Sequence, residues 1–321
     1  MGGATKTLGR SLWGLGVASL GAAAWGVFVE RTRFVLREET VPILDAGATP
    51  IRILQLSDLH LAPWHAATVS WVSKLAQLEP DLIIGTGDFF GHKDALPTIA
   101  DTLRPFAGIP GVVVHGSNDF VAPRPVNPLK YLWEESSGKM SGDRLDFEGL
   151  HRLYTDTLGW HDIDNRAVTI EMAGQVLEFI GVGDAHVGRD DLTALTTAIE
   201  RGRESSPVRN KPDRSSTTTI GVTHAPYQKV LNSFVNHGAE LILAGHTHGG
   251  QVQVPGLGAL TTNCDLPTSY AKGFHTWSHG SRSSYLNVSS GLGTSIYAPV
   301  RFWCPPEAIL LTLTGDDFGY A

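Results

Sequence analysis

Three features of the 321-residue chain predict an α/β fold whose sheet contains parallel pairs. Short apolar runs of strand length alternate with segments whose apolar residues recur every three or four positions, the period of a helix with one buried face. The strand-like runs have little polar alternation inside them, as expected of strands covered on both faces. Each run then stops at a polar or glycine-rich turn, where open α/β sheets carry their active residues.

The elements follow in order. Residues 11–29 (SLWGLGVASLGAAAWGVFV) contain no charge, with Lys6 and Arg10 before them and Glu30, Arg31 and Arg33 after. That length fits one membrane-spanning helix with Trp13 and Trp25 near the two interfaces. A cleaved signal peptide would need a shorter apolar region and a small-residue cleavage site, and a packed helix is the remaining alternative. Residues 1–40 are therefore expected to form a single-pass anchor and connector at the cell membrane; basic residues on both flanks leave its orientation open. Residues 31–39 read as a charged connector and 41–50 as a Pro/Gly-containing segment. The expected catalytic domain spans 41–321.

Within it, 51–56 is the first strand, 66–78 a helix, 81–84 a second buried strand, 96–106 a helix and 111–115 a third strand. Prolines 123, 125 and 128, then Ser136-Ser-Gly and Ser141-Gly-Asp, break the rhythm over 121–164. We read this stretch as an excursion or cap beside the site. Strands resume at 176–182, followed by a helix at 191–201 and a Ser/Pro/Thr-rich surface loop at 203–219. Strands at 219–223 and 240–244 flank a helix at 228–236. From 251 onward, short segments with frequent glycines suggest antiparallel closure ending in 308–313.

Composition narrows the function classes. A net charge of -7 and a pI near 6.0 give no support to a nucleic-acid binder, which would show a basic stripe. Cys264 and Cys304 are the two cysteines, far from any CxxC spacing, so neither a zinc knuckle nor a disulfide framework is indicated.

The chemistry lies at the strand ends, which present Ser57-Asp58-Leu59-His60, Gly87-Asp88, Gly116-Ser117-Asn118-Asp119, Thr223-His224-Ala225 and Gly245-His246-Thr247-His248. A lone strand-end Asp is usually a turn former or helix cap; five strand ends delivering metal-competent groups to one sheet edge are far more specific. Mixed oxygen and nitrogen donors without thiolate suit Mn, Fe, Zn or Co. Asp184-Ala-His186 copies the D-x-H spacing and is read as a structural or rim element. His65, His161, His237, His275 and His279 are read as surface or core-edge residues. Trp64, Phe89 and Phe90 either wall the site or pack ordinarily.

In this order the motifs resemble the calcineurin-like metallophosphoesterase family, whose pattern is D-x-H, G-D, G-N-H-D/E, a lone His and G-H-x-H. Gly291-Leu-Gly-Thr-Ser295 and Arg301-Phe-Trp-Cys-Pro-Pro-Glu307 are similar to its bacterial membrane-associated branch of YkuE- and YaeI-type phosphodiesterases. The resemblance implies a four-layer αββα sandwich and a two-metal site. In that site Asp58, His60 and His248 hold one ion, His224 and His246 hold the other, and Asp88 bridges them and activates the water that attacks phosphorus. The implied substrate is a phosphate ester, a phosphodiester or a lipid-linked pyrophosphate. Arg301 and His115 are candidate substrate contacts, and Asp119 a supporting residue.

One motif departs from the family. A gapless register puts Ser117 at the ligand asparagine and Asn118 at the family's histidine. Either the turn is shifted and the Asn118 amide oxygen is the ligand, which we prefer because an amide oxygen suits a hard cation better than a hydroxyl, or Ser117 or water takes that place. The proton for the leaving group then has to come from His115, His92, Asp119 or metal-bound water. A non-catalytic metal-binding scaffold is the alternative to an enzyme.

Overall fold

The computed structural model describes residues 19–125, 127, 136, 138–205 and 217–315. The strands are β1 (Val35–Leu44), β2 (Ile51–Leu56), β3 (Leu82–Gly85), β4 (Gly111–Val113), β5 (His161–Asp162), β6 (Arg166–Met172) and β7 (Gln175–Val182), then β8 (Thr217–Thr223), β9 (Leu241–Ala244), β10 (Gln253–Val254), β11 (Gly258–Ala259), β12 (Gly273–His279), β13 (Arg282–Val288) and β14 (Glu307–Gly315). The helices are α1 (Ala66–Lys74), α2 (Leu96–Leu103), α3 (Phe147–Arg152), α4 (Leu192–Ser205) and α5 (Gln228–Asn236).

Two six-stranded sheets form, in the orders β1-β14-β2-β3-β4-β5 and β12-β13-β9-β8-β7-β6. β2, β3, β4 and β5 run parallel in the first, and β7, β8 and β9 in the second. Period-two alternation decides how the sheets stack. Ile51, Ile53, Leu82 and Ile84 meet Leu177, Phe179, Ile220 and Leu241 in a core between the sheets. Leu54, Leu56 and Ile83 face the other way, onto Val72 of α1 and Ile99 and Leu103 of α2. Ile180, Val182 and Ile242 likewise turn outward onto Leu195 of α4 and Val230 and Phe234 of α5. The result is a mixed α/β sandwich layered helix, sheet, sheet, helix. Buried amides also join the two sheets: Gln55 Nε2 donates to the Ala244 carbonyl (3.0 Å) and Asn287 Nδ2 to Gln55 Oε1 (2.7 Å).

Three sequence expectations change. The stretch read as connector and Pro/Gly segment is β1, paired in parallel with β14, and Val41, Ile43 and Leu44 enter the inter-sheet core. Its charged first half, including Arg37, which bonds Glu307 and Asn287, masks the strand pattern because that half lies at a sheet edge. The boundary expected at 41 therefore falls inside the fold, and the buried Glu30 already accepts from the Cys304 amide (2.7 Å). Second, the 121–164 excursion contains α3, a further helical turn (Leu153–Leu158) and the edge strand β5, and Leu150, Leu153, Tyr154, Leu158 and Trp160 join the core beneath α1 and α2. Third, Arg203 belongs to α4 and forms a two-pronged pair with the buried Glu178 (2.9 and 2.6 Å); residues 206–216 of the expected loop lie outside the described residues.

Residues 1–18, which hold Trp13 and the first part of the expected span (11–18), also lie outside the described residues. Residues 19–28 are helical. Among the described residues, no helix is long and apolar enough to cross a membrane.

Because β1 contributes three buried side chains at about 1.5–3 kcal/mol each, a chain lacking residues 1–44 should lose several kcal/mol of stability. A chain lacking only residues 1–18 should keep it. Guanidinium unfolding midpoints of the two test this.

Candidate metal centre

The five strand ends meet where the carboxyl ends of the parallel strands in both sheets converge. Backbone bonds join the turns: the amides of Asp58, His60 and Leu61 donate to the carbonyls of Gly87, Asp88 and Phe89 (2.9, 3.0 and 2.9 Å), and Gly245 N–H to the His224 carbonyl (2.9 Å). The turns are sharp, with left-handed backbone at Asp58, His60, Asp88, His246 and His248 (φ 49°, 41°, 58°, 69° and 50°). A non-glycine residue in such a conformation costs on the order of 1–3 kcal/mol and persists where its surroundings over-determine it. Two glycines make the room: a Cβ at Gly116 would overlap Asp88 Oδ1, and one at Gly245 would overlap Ser57 Oγ and Asp58 Oδ2.

The side chains form two overlapping groups, Asp58 with His60 and His248, and Asp58 with Asp88 and His224. His60 Nε2 and His248 Nε2 lie 3.1 Å apart, and His248 Nε2 is 3.5 Å from Asp58 Oδ1. Donors bound tetrahedrally to one ion at about 2.0–2.2 Å stand about 3.3 Å from each other, so this spacing fits a shared cation. Asp88 Oδ2 is 3.6 Å from His60 Nε2 and 3.5 Å from His224 Nε2, between the groups. His60 Nδ1, His224 Nε2 and His248 Nδ1 are buried with no hydrogen-bond partner among the described residues. The donor set thus fits metal.

His246 differs from the expectation. Its Nε2 faces the Asn263 carbonyl (3.0 Å) and its ring stands edge-on to His224 (5.2 Å), outside the two tight groups, so Nδ1 is the nitrogen left for a ligand. Asn118 meets Asp88 twice, through its backbone N–H to Oδ1 (2.8 Å) and its side-chain amide to Oδ2 (2.7 Å).

The electrostatics are those of a desolvated, mutually charged cluster. Burial, and then the carboxylates of Asp88, Asp184 and Asp58, act in opposite directions on His224; the carboxylates prevail and raise it to about 10. Burial and His224 hold His246 down at about 4, and burial and His60 hold His248 well below its ordinary value. Burial pushes Asp58 up, while His224, His60 and the Asn118 donors bring Asp88 down against its own burial. Asp119 is fully buried and accepts from the amides of Asp88 (2.9 Å), Phe89 (2.8 Å) and Gly116 (3.0 Å), which makes it the positioning residue of the Gly87-Asp88 turn.

A cavity of about 520 Å³ opens over the cluster, with His60, Asp88, His246 and His248 on its floor. Its walls include Asn118, Arg124, Lys139, Met140 and Tyr297. His186 also lines it, its ring 4.7 Å from His246 and its Nδ1 bonded to the Tyr227 hydroxyl (2.9 Å); burial and His246 lower it to about 4, so it serves as a neutral hydrogen-bonding wall. Its signal in the sequence was the second D-x-H triplet.

Two expected substrate contacts do not reach this cavity. Arg301 is fully buried and donates to the carbonyls of Ser290 (2.7 Å), Gly291 (3.0 Å), Gly293 (2.7 Å) and Cys304 (3.3 Å), binding the C-terminal segment together instead of a phosphate. His115 is also fully buried, walled by Phe120, Phe147 and Tyr154. Neither His115 nor Asp119 can therefore meet a leaving group. Trp64 is 61% exposed and stands against His92, away from the cavity, while Phe89 and Phe90 are core.

Residues 51–250 match the family model described as calcineurin-like phosphoesterase. YkuE of Bacillus subtilis, described as an uncharacterized metallophosphoesterase, is 23% identical over 299 residues, covering 90% of this chain and 87% of its own. Phosphodiesterase YaeI of Escherichia coli is 26% identical over 287 residues, covering 87% and 88%. Among solved structures, TT1561 of Thermus thermophilus aligns with a TM-score of 0.42 and 16% identity over 76% of this chain and 91% of that one.

Arg301→Lys should lower the melting temperature, because one ammonium cannot serve four carbonyls, yet leave KM for a phosphate ester within about two-fold. Calorimetry and steady-state kinetics separate the two readouts, and a large rise in KM at unchanged stability would return Arg301 to the substrate.

Proposed function

This chain belongs to the calcineurin-like phosphoesterase family, and from that premise we propose that it is a metal-dependent phosphodiesterase working at a membrane surface. The observation that carries the reading is Asp88 Oδ2, one carboxylate oxygen within 3.6 Å of His60 Nε2 and 3.5 Å of His224 Nε2. Asp58, His60 and His248 would hold one ion, and His224 and His246 the other, with Asp88 between them. The preferred metals are Mn, Fe, Zn or Co. Such a pair, when bound, lowers the pKa of water and takes up charge on the phosphoryl oxygens during in-line displacement at phosphorus.

The chain's own residues do the rest. Asp119 holds the Asp88 turn, and Asn118 meets both carboxylate oxygens of Asp88, its backbone N–H at Oδ1 and its side-chain amide at Oδ2. A half-turn of the Asn118 amide would put its oxygen where its nitrogen meets Asp88 Oδ2, which supports Asn118 over Ser117 as the ligand from that turn. Arg124 and Lys139 at the cavity wall favour an anion, and the apolar Val121, Pro123, Met140 and Tyr297 favour a second ester substituent. That combination suits a diester better than a compact monoester.

The membrane location is supported by the N-terminal helix. Leu20 and Phe28 on it are 74% and 76% exposed, and Gly26 accepts from the Arg301 amide (3.1 Å), within the segment whose Tyr297, Ala298 and Val300 line the cavity. An anchor continuing into residues 1–18 would hold the cavity mouth near lipid headgroups, where a lipid-linked phosphodiester or pyrophosphate would be the substrate.

Protein lacking residues 1–18 should hydrolyse bis-p-nitrophenyl phosphate with Mn²⁺ and stop when the ion is chelated. Asp88→Asn should reduce kcat by more than about 100-fold, beyond the 10–100-fold that follows loss of a supporting contact; metal-replete protein inert across a panel of diesters and monoesters would favour a scaffold instead. In a metal titration, Asn118→Ala should weaken binding more than Ser117→Ala, and the reverse order would reject the shifted register.

A further inference from the structure

Beyond the metal centre, the end of β4, helix α3 and strand β5 bring together His115, His151 and Asp162, whose donor atoms all lie within 4.8 Å of one another. We propose that these three residues form a separate site for a divalent transition metal, Zn²⁺ by its donor chemistry, which ties α3 to the edge of the first sheet.

Three observations carry it. First, the spacing is that of ligands on one ion. Asp162 Oδ2 is 3.3 Å from His115 Nε2 and 3.1 Å from His151 Nδ1, against about 3.3 Å between donors held tetrahedrally at about 2.0–2.2 Å. Second, His115 Nε2, His115 Nδ1 and His151 Nδ1 are buried with no hydrogen-bond partner among the described residues, while Asp162 Oδ2 stands beside both imidazoles. The fully buried Tyr154 packs its ring 5.8 Å from His115, and its hydroxyl has no hydrogen-bond partner among the described residues either.

Third, the surroundings orient the donors as the partners of metal ligands do. The Asp164 amide donates to Asp162 Oδ1 (3.0 Å) and leaves Oδ2 for the ion, while the Asp164 carboxylate fixes the His115 backbone (3.1 Å). Asp162 is held down at about 2: its burial is outweighed by His115, so it is an anion. His115 Nδ1 lies 3.9 Å from Asp119 Oδ2, beyond hydrogen-bonding distance. Phe120 and Phe147 wall the imidazole. The side chains of His151 and Asp162 remain 34% and 12% exposed, which provides an entry path. Two imidazoles and one carboxylate exclude Mg²⁺ and Ca²⁺, which take oxygen donors.

This site does not depend on the phosphodiesterase reading.

The test uses the full chain, stripped with chelator and reloaded with Co²⁺. Wild-type protein should bind one equivalent more than His151→Ala, and the same difference should appear when both carry Asp88→Asn, whatever the occupancy of the other centre. His151→Cys should restore the equivalent and add a thiolate-to-cobalt charge-transfer band in the near ultraviolet. Equal stoichiometry in wild type and His151→Ala would overturn the proposal. So would the absence of that band from folded His151→Cys; a loss of metal at the other centre alone would change both totals and leave their difference intact.

Discussion

The buried carboxylate of Asp119 is the constraint on which the rest of the centre depends. It sits one residue past Asn118 and accepts the amides of Gly116, Asp88 and Phe89, so the turns after β4 and β3 are held by a single side chain. Each bond between a charged acceptor and an amide contributes about 1.5–3 kcal/mol. That is enough to offset the left-handed strain at Asp88 (φ 58°). Without it the Asp88 turn would relax, and the oxygen that lies between His60 and His224 would leave its place.

The same logic extends across the sheet edge. Asp58 is held through the His246 amide, which donates to both its carboxylate oxygens (3.2 and 3.1 Å), so a residue of the second sheet's turn fixes a donor of the first. The site is therefore not an ornament on either sheet. It exists only when both sheets are stacked, and the buried Gln55–Asn287 amide pair helps set that stacking. The imidazoles and carboxylates by themselves are in conflict, with His224 raised to about 10 and His246 lowered to about 4.

The cavity and the chain's N-terminal segment are linked through Arg301. Its guanidinium gathers the carbonyls of Ser290, Gly291, Gly293 and Cys304, and its own amide bonds Gly26. Gly291 and Gly293 in turn press against Asp58. A buried cation used this way shapes the binding wall from behind, which is why a residue that suits phosphate by type does not meet it here.

Much of this was legible in the sequence. Strand cores such as 51–56 and 241–244 are apolar enough to be seen locally, and the residues just after such a strand must emerge at the sheet edge, so Asp58, Asp88, His224 and His248 could be placed without coordinates. The order and types of those donors, and hence the class of chemistry, are a property of the sequence alone. What only the tertiary structure decided are matters of contact between distant segments. β1 is visible as a strand only beside β14, because an edge strand with a charged face lacks the apolar run that marks a covered one. Arg301 and His115 have the right chemistry for phosphate, and their burial behind other segments removes them from it. The Asn118 contact with Asp88 spans 30 positions, and the meeting of His115 with His151 and Asp162 joins a strand end to a helix and strand well beyond it. No local pattern encodes a distance that folding alone creates.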